Sequence, residues 1–532
     1  MGIAKRHYDY IIVGAGSAGS VLASQLSKDP ATYVLLLEEG GAGDGLLVTM
    51  PKGFGKLLAD PATAHFLPTV SAREGKAGQE VWVRGRMLGG SSGVNGMVWN
   101  RGAAADYNRL AELAGDQWRW DEMLPMFQQI EGSTRDRSGG PVIISSHPSP
   151  PPLLEAWIEA GRQLGLLAKQ DHRVMPQEGI GPLQWNIDAR GKRLSAARAF
   201  LEPARPRDNL EIVTGVRIDR VVLDGKRAVG VSGQREGNHV QFACREVILS
   251  AGGIATPRIL QQSGIGPASV LEAAGVRTVL DQPHIGRHMR EHVLVMQHYR
   301  LHGHADSANR EYSGLRLVRN VLRHLAFGSG PMSYGSSEAA AFVQVLEESG
   351  RADCQLMFAP YSLDMAKAMA METEPGMQVY AYTLRPRSEG SVEIISPDPA
   401  APLKIDPNFL TDDYDRDAAV AQVRYVRDLM RQPALAPFVM GETELTAAAT
   451  SDEDILALFK DWGQSGYHAV GTVRMGKTAD APLDGNLRVR GIKCLRVVDC
   501  SVFPEMIAGN TNAPVMALAT RASQLISAEA AA

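Results

Sequence analysis

The amino-acid sequence predicts an α/β fold organised around a parallel sheet, and three observations support this. An apolar run over residues 10–13 leads into a glycine-rich turn, followed by a helical pattern up to Leu26. A second apolar run over residues 34–37 ends at the carboxylate of Glu38. A later strand at 246–250 runs into another glycine pair and a second helix. Short, uniformly apolar runs are typical of parallel strands that are buried on both faces.

The first turn has the spacing Gly14-x-Gly16-x-x-Gly19, which is typical of a dinucleotide-binding unit when strands flank it. Gly14 allows the tight turn, Gly16 lets the backbone approach a pyrophosphate, and Gly19 lets the helix pack on the strand. Glu38 follows Gly19 by nineteen residues, where a carboxylate reaches the ribose hydroxyls of an adenosine. The alternative is a parallel-sheet unit without a ligand, which the flanking strands and the acid disfavour.

Length, composition and charge describe an ordinary soluble protein. With 532 residues the chain exceeds what one hydrophobic core usually serves, so two or more domains are expected. Apolar residues make up 44% and charged residues 21%, as in typical globular domains. The formal net charge of −4 argues against a nucleic-acid-binding surface and does not suggest a polyanionic substrate.

The sequence predicts neither a membrane span nor a secretory signal. No apolar run is long enough to cross a bilayer, and the first residues lead directly into the first predicted strand. The cysteines lack Cys-x-x-Cys or histidine partners at ligand spacing, so we expect reduced thiols and no metal site. These cysteines are Cys244, Cys354, Cys494 and Cys500. A cytoplasmic protein is expected, and the sequence leaves its oligomeric state open.

The remaining elements follow in chain order. Residues 84–102 interleave glycines with apolar side chains, which favours close packing over a flexible surface loop. Residues 104–130 predict two helices separated near Trp118 and Trp120, and residues 153–167 predict an amphipathic helix after a Pro-rich connector. Further strands are predicted at 210–213, 218–223, 228–232, 246–250 and 390–395, and the second junction leads into a helix from Thr256.

Several segments of this sequence resemble the signature segments of the glucose–methanol–choline (GMC) oxidoreductases, flavoproteins that oxidise alcohols. The resemblance covers nearly the whole chain, and residues 285–292 are a looser match than the others. The matching segments, in order, are residues 14–19 with Glu38, 85–102, 252–266, 467–476 and 495–514.

At four positions the sequence departs from the usual pattern of that family. Gly253 stands where a small residue with a side chain is usual, and Ala469 replaces a proline. His288 and Glu291 stand where asparagine and aspartate are usual.

The resemblance implies FAD as the cofactor. Val94 occupies the place where some relatives carry a histidine covalently attached to FAD, and valine cannot form that bond, so non-covalent binding is expected. The implied cofactor-binding residues are Gly14, Gly16, Ser17, Ala18, Gly19, Glu38, Arg86, Gly89, Gly90, Ser91, Asn95, Gly96, Met97, Val98, Val216, Ala251, Gly252, Asp499, Cys500, Asn510, Thr511, Asn512 and Pro514.

The implied architecture is a Rossmann-like FAD-binding domain interleaved with a substrate-binding domain built on an antiparallel sheet and helices. The predicted FAD-binding domain is discontinuous and comprises residues 1–155, 205–295 and 462–532. The predicted substrate-binding domain comprises residues 156–204 and 296–461.

The implied activity is oxidation of a small aromatic or aliphatic primary alcohol to the aldehyde, by hydride transfer to flavin N5. His468 is implied as the base, a role that suits histidine because its ordinary pKa lies near neutrality. Asn510 would orient the substrate oxygen, or cap the helix that begins near Ala513, or both. The acceptor that reoxidises the flavin, whether oxygen, a quinone or another carrier, is left open.

Two other functions compete with this one. An FAD-containing lyase of the same fold would use His468 for acid–base chemistry without net redox change. A non-enzymatic FAD-binding protein is disfavoured, because it need not keep both His468 and Asn510.

The sequence says little about specificity. Methionines cluster at 356–378 and suit either an adaptable substrate cap or ordinary core packing: Met357, Met365, Met369, Met371 and Met377. Glu338 would read a cationic substrate or, more simply, be solvated or salt-bridged. Further pocket candidates, which the sequence does not rank, are Trp82, Trp99, Trp185 and His65.

Overall fold

The computed structural model describes residues 7–70, 80–133, 139–367 and 370–531. The helices, in chain order, are α1 Ser17–Leu26, α2 Leu46–Thr49, α3 Phe54–Leu57, α4 Ala104–Ala114, α5 Trp120–Ile130, α6 Pro152–Gln163, α7 Glu202–Ala204, α8 Gly252–Gln262, α9 Ala268–Ala273, α10 Gly314–Phe327, α11 Asp413–Met430, α12 Glu444–Ala447, α13 Asp452–Trp462 and α14 Asn512–Ala531.

The strands, in chain order, are β1 Tyr8–Val13, β2 Val34–Leu37, β3 Ala64–Pro68, β4 Val81–Gly85, β5 Glu131–Ser133, β6 Val142–Ser146, β7 Gly179–Pro182, β8 Gln184–Trp185, β9 Leu210–Val213, β10 Val216–Asp224, β11 Arg227–Arg235, β12 Asn238–Leu249, β13 Ile265–Gly266, β14 Leu280–Asp281, β15 Val293–Leu301, β16 Ala339–Val343, β17 Cys354–Ala359, β18 Leu363–Asp364, β19 Ala370–Met371, β20 Gly376–Thr383, β21 Ser391–Ile394, β22 Leu403–Asp406, β23 Val439–Glu442, β24 Gln464–Ser465 and β25 Leu495–Val497.

The first large sheet contains the predicted strand–turn–helix–strand unit. Its order is β10-β11-β12-β1-β2-β9, with β25 beside β12. Strand β1 runs parallel to both β2 and β12, in a register that places Tyr10 opposite Val34 and Glu246. Strand β2 is buried along its whole length, which explains why its sequence shows no polar alternation.

Strand β12 belongs to two parts of this sheet. Its first half, up to Ala243, forms an antiparallel hairpin with β11, and its second half runs parallel to β1 and β25. The sequence predicted a strand only from residue 246, because the alternation of the hairpin half differs from the apolar run of the parallel half. Helix α8 likewise begins at Gly252 rather than at Thr256.

The second large sheet is antiparallel in every pairing. Its order is β23-β15-β20-β17-β16-β7, with β24 beside β15. Buried side chains from this sheet pack against helices α6 and α11 to form a second hydrophobic core. Strand β7 comes from residues 179–182, whereas the other strands lie between residues 293 and 465. This pairing is in keeping with the predicted interleaving of two domains, whose boundaries stay a prediction.

The far end of the chain returns to the first sheet. Strand β25 adds to it beside β12, and helix α14 packs against α1. The largest hydrophobic core accordingly combines residues from β1, β2 and α1 with residues from α14. The mixed α/β fold class predicted from the sequence is confirmed. Across the described residues, no helix combines the length and apolar character needed to cross a membrane.

Candidate active site

A single cavity of about 1780 Å³ extends from the first glycine turn to the antiparallel sheet. Pockets that bind drug-sized ligands hold roughly 300–1,000 Å³, so this cavity has room for a dinucleotide and a substrate together. Gly14 and Gly16 line one part of it, and Tyr380, Tyr382 and His468 line another.

The glycine turn leaves backbone open to the cavity. Gly14 adopts a φ of +95°, and a Cβ there would lie 2.6 Å from the carbonyl oxygen of Ser250. A Cβ on Gly19 would collide with the carbonyl of Gly14, so this glycine permits the close approach of helix and strand. A Cβ on Gly16 would meet no atom within 4 Å, because this residue faces the cavity.

The N-terminus of α1 faces the cavity without a capping side chain in the described structure. Ser17 and Ala18 face the cavity. The Ser17 hydroxyl donates to Oδ1 of Asn512 over 2.7 Å, while the buried Nδ2 of Asn512 has no partner in the described structure. Uncapped N–H groups and the positive end of the helix dipole favour a pyrophosphate at this position.

Glu38 connects the glycine turn to the end of β2. Its carboxylate accepts hydrogen bonds from the N–H groups of Ala15 and Gly40, each 2.9 Å long. Burial raises the pKa of Glu38, although these two hydrogen bonds oppose the effect. Val216 also lines the cavity, and its N–H donates to the carbonyl of Glu38 over 2.9 Å.

Asp499 holds the second glycine junction in place. Its Oδ2 accepts from the Gly252 N–H over 2.9 Å and from the Thr256 hydroxyl over 2.6 Å. Its Oδ1 accepts from the Ser501 N–H over 2.8 Å. Burial raises the pKa of Asp499, against the effect of these hydrogen bonds. The side chain thereby joins the start of α8 to the C-terminal segment at the cavity wall.

Most residues implied to bind the cofactor line this one cavity, while a few lie behind its surface. Arg86 lies 3.6 Å from Glu39 instead, and Pro514 is buried in the first turn of α14. Gly19 and Gly89 likewise lie behind the cavity surface. The predicted residues that line the cavity are Gly14, Gly16, Ser17, Ala18, Glu38, Gly90, Ser91, Asn95, Gly96, Met97, Val98, Val216, Ala251, Gly252, Asp499, Cys500, Asn510, Thr511 and Asn512.

His468 and Asn510, forty-two residues apart in the chain, meet at the cavity wall. Nδ2 of Asn510 lies 3.2 Å from Nε2 of His468. On the other side of the ring, Nδ1 of His468 lies 2.9 Å from Nδ1 of His292. The His468 ring is therefore held between a second imidazole and a carboxamide.

The hydrogen-bond partners fix the tautomers of both rings. Nε2 of His292 lies 3.1 Å from the carbonyl oxygen of Leu384, so this nitrogen must carry a hydrogen. A neutral His292 then has its lone pair at Nδ1 and accepts from Nδ1–H of His468. It follows that Nε2 of a neutral His468 carries the lone pair, beside Asn510.

Burial keeps this cluster neutral. It lowers the pKa of His292 to about 4. Burial also lowers the pKa of His468 well below its ordinary value, helped by the neighbouring His292 and Arg84. Both rings are therefore uncharged at neutral pH, and the lone pair at Nε2 of His468, which accepts a hydrogen bond from Nδ2 of Asn510 over 3.2 Å, can take up a proton.

The backbone of His468 is held by Glu291. The His468 N–H donates to this buried carboxyl, with 2.7 Å to Oε1 and 2.9 Å to Oε2. Burial raises the pKa of Glu291 to about 7, and the guanidinium of Arg84, 3.6 Å away, opposes this. Glu291 is one of the departures from the family pattern, and it positions the segment that carries His468.

The antiparallel sheet supports Asn510 and His292. The Tyr382 hydroxyl donates to Oε1 of Gln355 over 2.8 Å, and Nε2 of Gln355 lies 3.4 Å from Oδ1 of Asn510. The Tyr382 ring stacks on His292, with centroids 4.4 Å apart. These contacts orient the Asn510 carboxamide so that its Nδ2, not its oxygen, faces His468.

Gly253, another departure, has a packing explanation. A Cβ at this position would lie 2.6 Å from the carbonyl oxygen of Ala469. The loop that carries His468 therefore approaches α8 more closely than a side chain at 253 would allow.

The other candidates from the sequence divide between the cavity and the core. Met357, Met365 and Met371 line the cavity, as does His65, which lies 3.5 Å from Glu39. Met377 is buried in the core of the antiparallel sheet. Met369 lies outside the described residues. The tryptophans Trp82, Trp99 and Trp185 are fully buried in packed cores.

Glu338 is neither solvated nor a direct part of the cavity wall. It is buried, with Oε2 3.6 Å from Nε2 of His147, and Oε2 has no hydrogen-bond partner in the described structure. Burial raises the pKa of its carboxyl.

Lys52 is a charged residue of the cavity wall that sequence reasoning missed. Its Nζ donates to the carbonyl of Gly335 over 2.7 Å and lies 4.7 Å from the centre of the Tyr361 ring and 5.3 Å from that of Tyr312. Burial lowers the pKa of Lys52, against the effect of Glu338. No local pattern marks this lysine, because its aromatic partners lie more than 250 residues away.

Comparison with known protein families gives matches over most of the chain. A profile described as GMC oxidoreductase matches residues 8–294, and a second with the same description matches residues 386–519. The chain belongs to the GMC oxidoreductase family, as its motifs suggested.

Named relatives of this chain oxidise different substrates. It is 33% identical to an alcohol dehydrogenase (acceptor) of Pseudomonas putida over 98% of this chain and 95% of the relative. It is 35% identical to an oxygen-dependent choline dehydrogenase of Vibrio vulnificus (strain YJ016) over 98% of this chain and 94% of the relative. Among solved structures, pyridoxine 4-oxidase from Mesorbium loti superposes with a TM-score of 0.87 at 30% identity, covering 97% of this chain and 99% of that one.

Proposed function

We propose that this protein binds FAD and oxidises a small aromatic or aliphatic primary alcohol to the aldehyde. The observation that carries the proposal is the pair of His468 and Asn510 at the cavity wall, with Nε2 of the imidazole 3.2 Å from Nδ2 of the carboxamide. A neutral imidazole can take the hydroxyl proton of an alcohol, and an amide N–H can hold the oxygen as it becomes an alkoxide.

The residues along the cavity fit FAD. The uncapped start of α1 and the unpartnered Nδ2 of Asn512 suit a pyrophosphate, and Glu38 suits an adenosine ribose. FAD, when bound, supplies the acceptor for the hydride of the alcohol carbon. Val94 lines the cavity and has no nucleophilic atom, which supports non-covalent binding.

The chain's own residues account for the proton. Nε2 of His468 accepts it from the substrate hydroxyl, and Nδ1–H of the same ring donates to His292, which stabilises the imidazolium that forms. Nδ2 of Asn510 donates to the substrate oxygen and orients it. The apolar wall from Leu294, Met296 and Met357 excludes water from this end of the cavity.

The wall opposite the nucleotide end favours a neutral or anionic alcohol over a cationic one. Lys52 places an ammonium group there, whereas the carboxylates that line the described cavity, Glu38, Glu39 and Asp499, belong to the glycine turns. The rings of Tyr361 and Tyr312, two of the aromatic side chains that line the cavity, already contact Lys52.

The test is anaerobic flavin reduction. The purified holoenzyme is mixed with aliphatic, aromatic and amino alcohols, and the loss of the oxidised flavin absorbance is followed. Bleaching by a primary alcohol, with the aldehyde as product, supports the proposal. Readmission of air then separates fast reoxidation by oxygen from reliance on a quinone or another carrier. Cleavage of a substrate without any flavin bleaching would contradict it and indicate a lyase.

A further inference from the structure

Helix α10 carries its apolar side chains on the outside of the molecule. Leu315 is 89% exposed, and Val318, Leu322 and Leu325 are each more than half exposed. Their spacing of three, four and three residues places them on one face of the helix. We call these four residues the α10 stripe. Phe327, at the end of the helix, is 78% exposed.

The inner face of α10 is mixed: its two buried residues, Asn320 and His324, are polar, while the most exposed residues of the helix are apolar, which is unusual for a surface helix. Nδ2 of Asn320, which is buried, donates to the Glu311 carbonyl over 2.9 Å. Nδ1 of the buried His324 lies 2.8 Å from Oγ of Ser333. These contacts fix the rotation of the helix about its axis, and this orientation keeps the stripe exposed.

A row of arginines lies beside the stripe. Arg316, Arg319 and Arg323 are exposed, and they follow Leu315, Val318 and Leu322 by one residue each, which is about 100° around the helix. Arg316 and Arg319 lie 2.7 and 3.0 Å from Glu311, just before the helix. Helix α10 itself contains no Asp or Glu, so its exposed surface is apolar on one side and cationic on the other.

We propose that α10 is an interfacial helix that binds the surface of a membrane containing anionic lipids. An exposed apolar stripe beside a row of arginines matches the boundary between acyl chains and acidic headgroups. A second copy of the chain is the less suitable occupant, because antiparallel two-fold packing of the stripe places the two arginine rows on the same side of the contact.

The position of α10 links this surface to the cavity. Leu317 and Val321 directly precede Val318 and Leu322, and they line the cavity from the helix's inner side. Docking of the stripe therefore places one wall of the cavity at the lipid surface. This proposal does not depend on the proposed reaction, because binding is measured without turnover.

The test is vesicle co-sedimentation of the full-length holoenzyme. We expect binding to vesicles of phosphatidylcholine mixed with phosphatidylglycerol, weaker binding to phosphatidylcholine alone, and loss of binding at high salt. The double variant Leu322→Gln/Leu325→Gln should bind roughly tenfold or more weakly, because two buried apolar side chains are lost. Arg316→Gln/Arg323→Gln should weaken binding to the mixed vesicles, by roughly fivefold per arginine, more than to phosphatidylcholine.

The matched control is Ile395→Gln/Met440→Gln, which replaces two exposed apolar residues outside α10. This variant should bind like the wild type, and all three variants should keep the flavin content and thermal midpoint of the wild type. The proposal is overturned if the wild type stays unbound with anionic vesicles, or if the control loses as much binding as the stripe variant. A wild-type dimer that Leu322→Gln/Leu325→Gln converts to a monomer would also overturn it, in favour of a self-interface.

Discussion

Nδ1 of His292 lies 2.9 Å from Nδ1 of His468, and the Leu384 carbonyl on the far side of His292 decides which of the two carries the hydrogen. The ring at 292 is the acceptor and the ring at 468 the donor. His292, which does not line the cavity, thus determines that Nε2 of His468 carries the lone pair.

Replacing His468 with alanine should abolish the proton acceptor and leave the cofactor site intact, because the glycine turns and Asp499 are elsewhere in the cavity. We expect the rate of flavin reduction by an alcohol to fall by about two to four orders of magnitude, the usual contribution of general acid–base catalysis. Rapid mixing measures the rate, and the absorbance spectrum measures bound FAD. His239→Ala, at an exposed histidine in the β11–β12 hairpin, is the control. Undiminished reduction in His468→Ala would eliminate this residue as the base.

The pH profile of flavin reduction should keep its plateau on the acid side. Because burial lowers the pKa of His468 well below the ordinary value near 6.5, the neutral ring that accepts the proton persists as the pH falls past 6.5. The midpoint of the acid limb is therefore expected well below that value. A midpoint at or above pH 6.5 would contradict the assignment.

Acidification also lowers the stability of the fold, and this loss limits the pH range over which flavin reduction can be measured. The unfolded chain protonates His292 near pH 6.5, whereas the folded protein does so only near pH 4. The stabilising effect of the neutral ring is complete above pH 6.5 and is lost as the pH falls toward 4. Thermal midpoints at each pH therefore accompany the rates.

Asn510→Ala should slow flavin reduction by about 10²–10³, because it removes one hydrogen bond to the developing alkoxide. The loss should fall on kcat more than on KM, since this donor interacts most strongly in the transition state. Asn510→His keeps an N–H donor and should recover part of the rate. Equal rates for Asn510→Ala and wild type would show that the carboxamide serves only to cap α14.

Lys52→Met should change the charge preference of the enzyme. With wild type we expect a 4-carboxybenzyl alcohol to be preferred over its trimethylammonio analogue. In the variant, the ratio of kcat/KM for the two alcohols should fall by a factor of roughly ten or more. This factor corresponds to the loss of one charge-assisted hydrogen bond. Ratios of kcat/KM measure this, and 4-methylbenzyl alcohol reports any general loss. The exposed Lys28→Met is the control. An unchanged ratio in Lys52→Met would remove Lys52 from substrate recognition.

The nucleotide end of the cavity could be predicted in detail because its determinants are local. The Gly14–Gly19 spacing, the flanking apolar runs and Glu38 fall within about thirty residues of sequence, and each has a separate physical reason. His468 and Asn510 were found through the family resemblance, since a single histidine or asparagine carries no local signal of catalysis.

The residues that hold His468 and Asn510 in position were not predictable from the sequence. His292 lies 176 residues before His468, and Gln355 lies 155 residues before Asn510. The pairing of β24 with β15 brings His292 close to His468, whereas Gln355 on β17 meets Asn510 in the loop before α14. Lys52 was missed for the same reason. For Glu338 the sequence left contact with a cationic substrate, solvation and a salt bridge open, because sequence alone does not report burial. The α10 stripe is visible as a periodic pattern, but only the structure shows that it faces outward.

The hydrogen bond between Ser17 and Asn512 joins the first helix of the chain to the last, and both residues face the cavity. On the ribosome, Ser17 emerges hundreds of residues before its partner. The proposed pyrophosphate site is therefore complete only after Asn512 has been synthesised. Loading of the flavin is thus expected to wait for this segment, and polypeptides that stop short of α14 should accumulate as colourless chains.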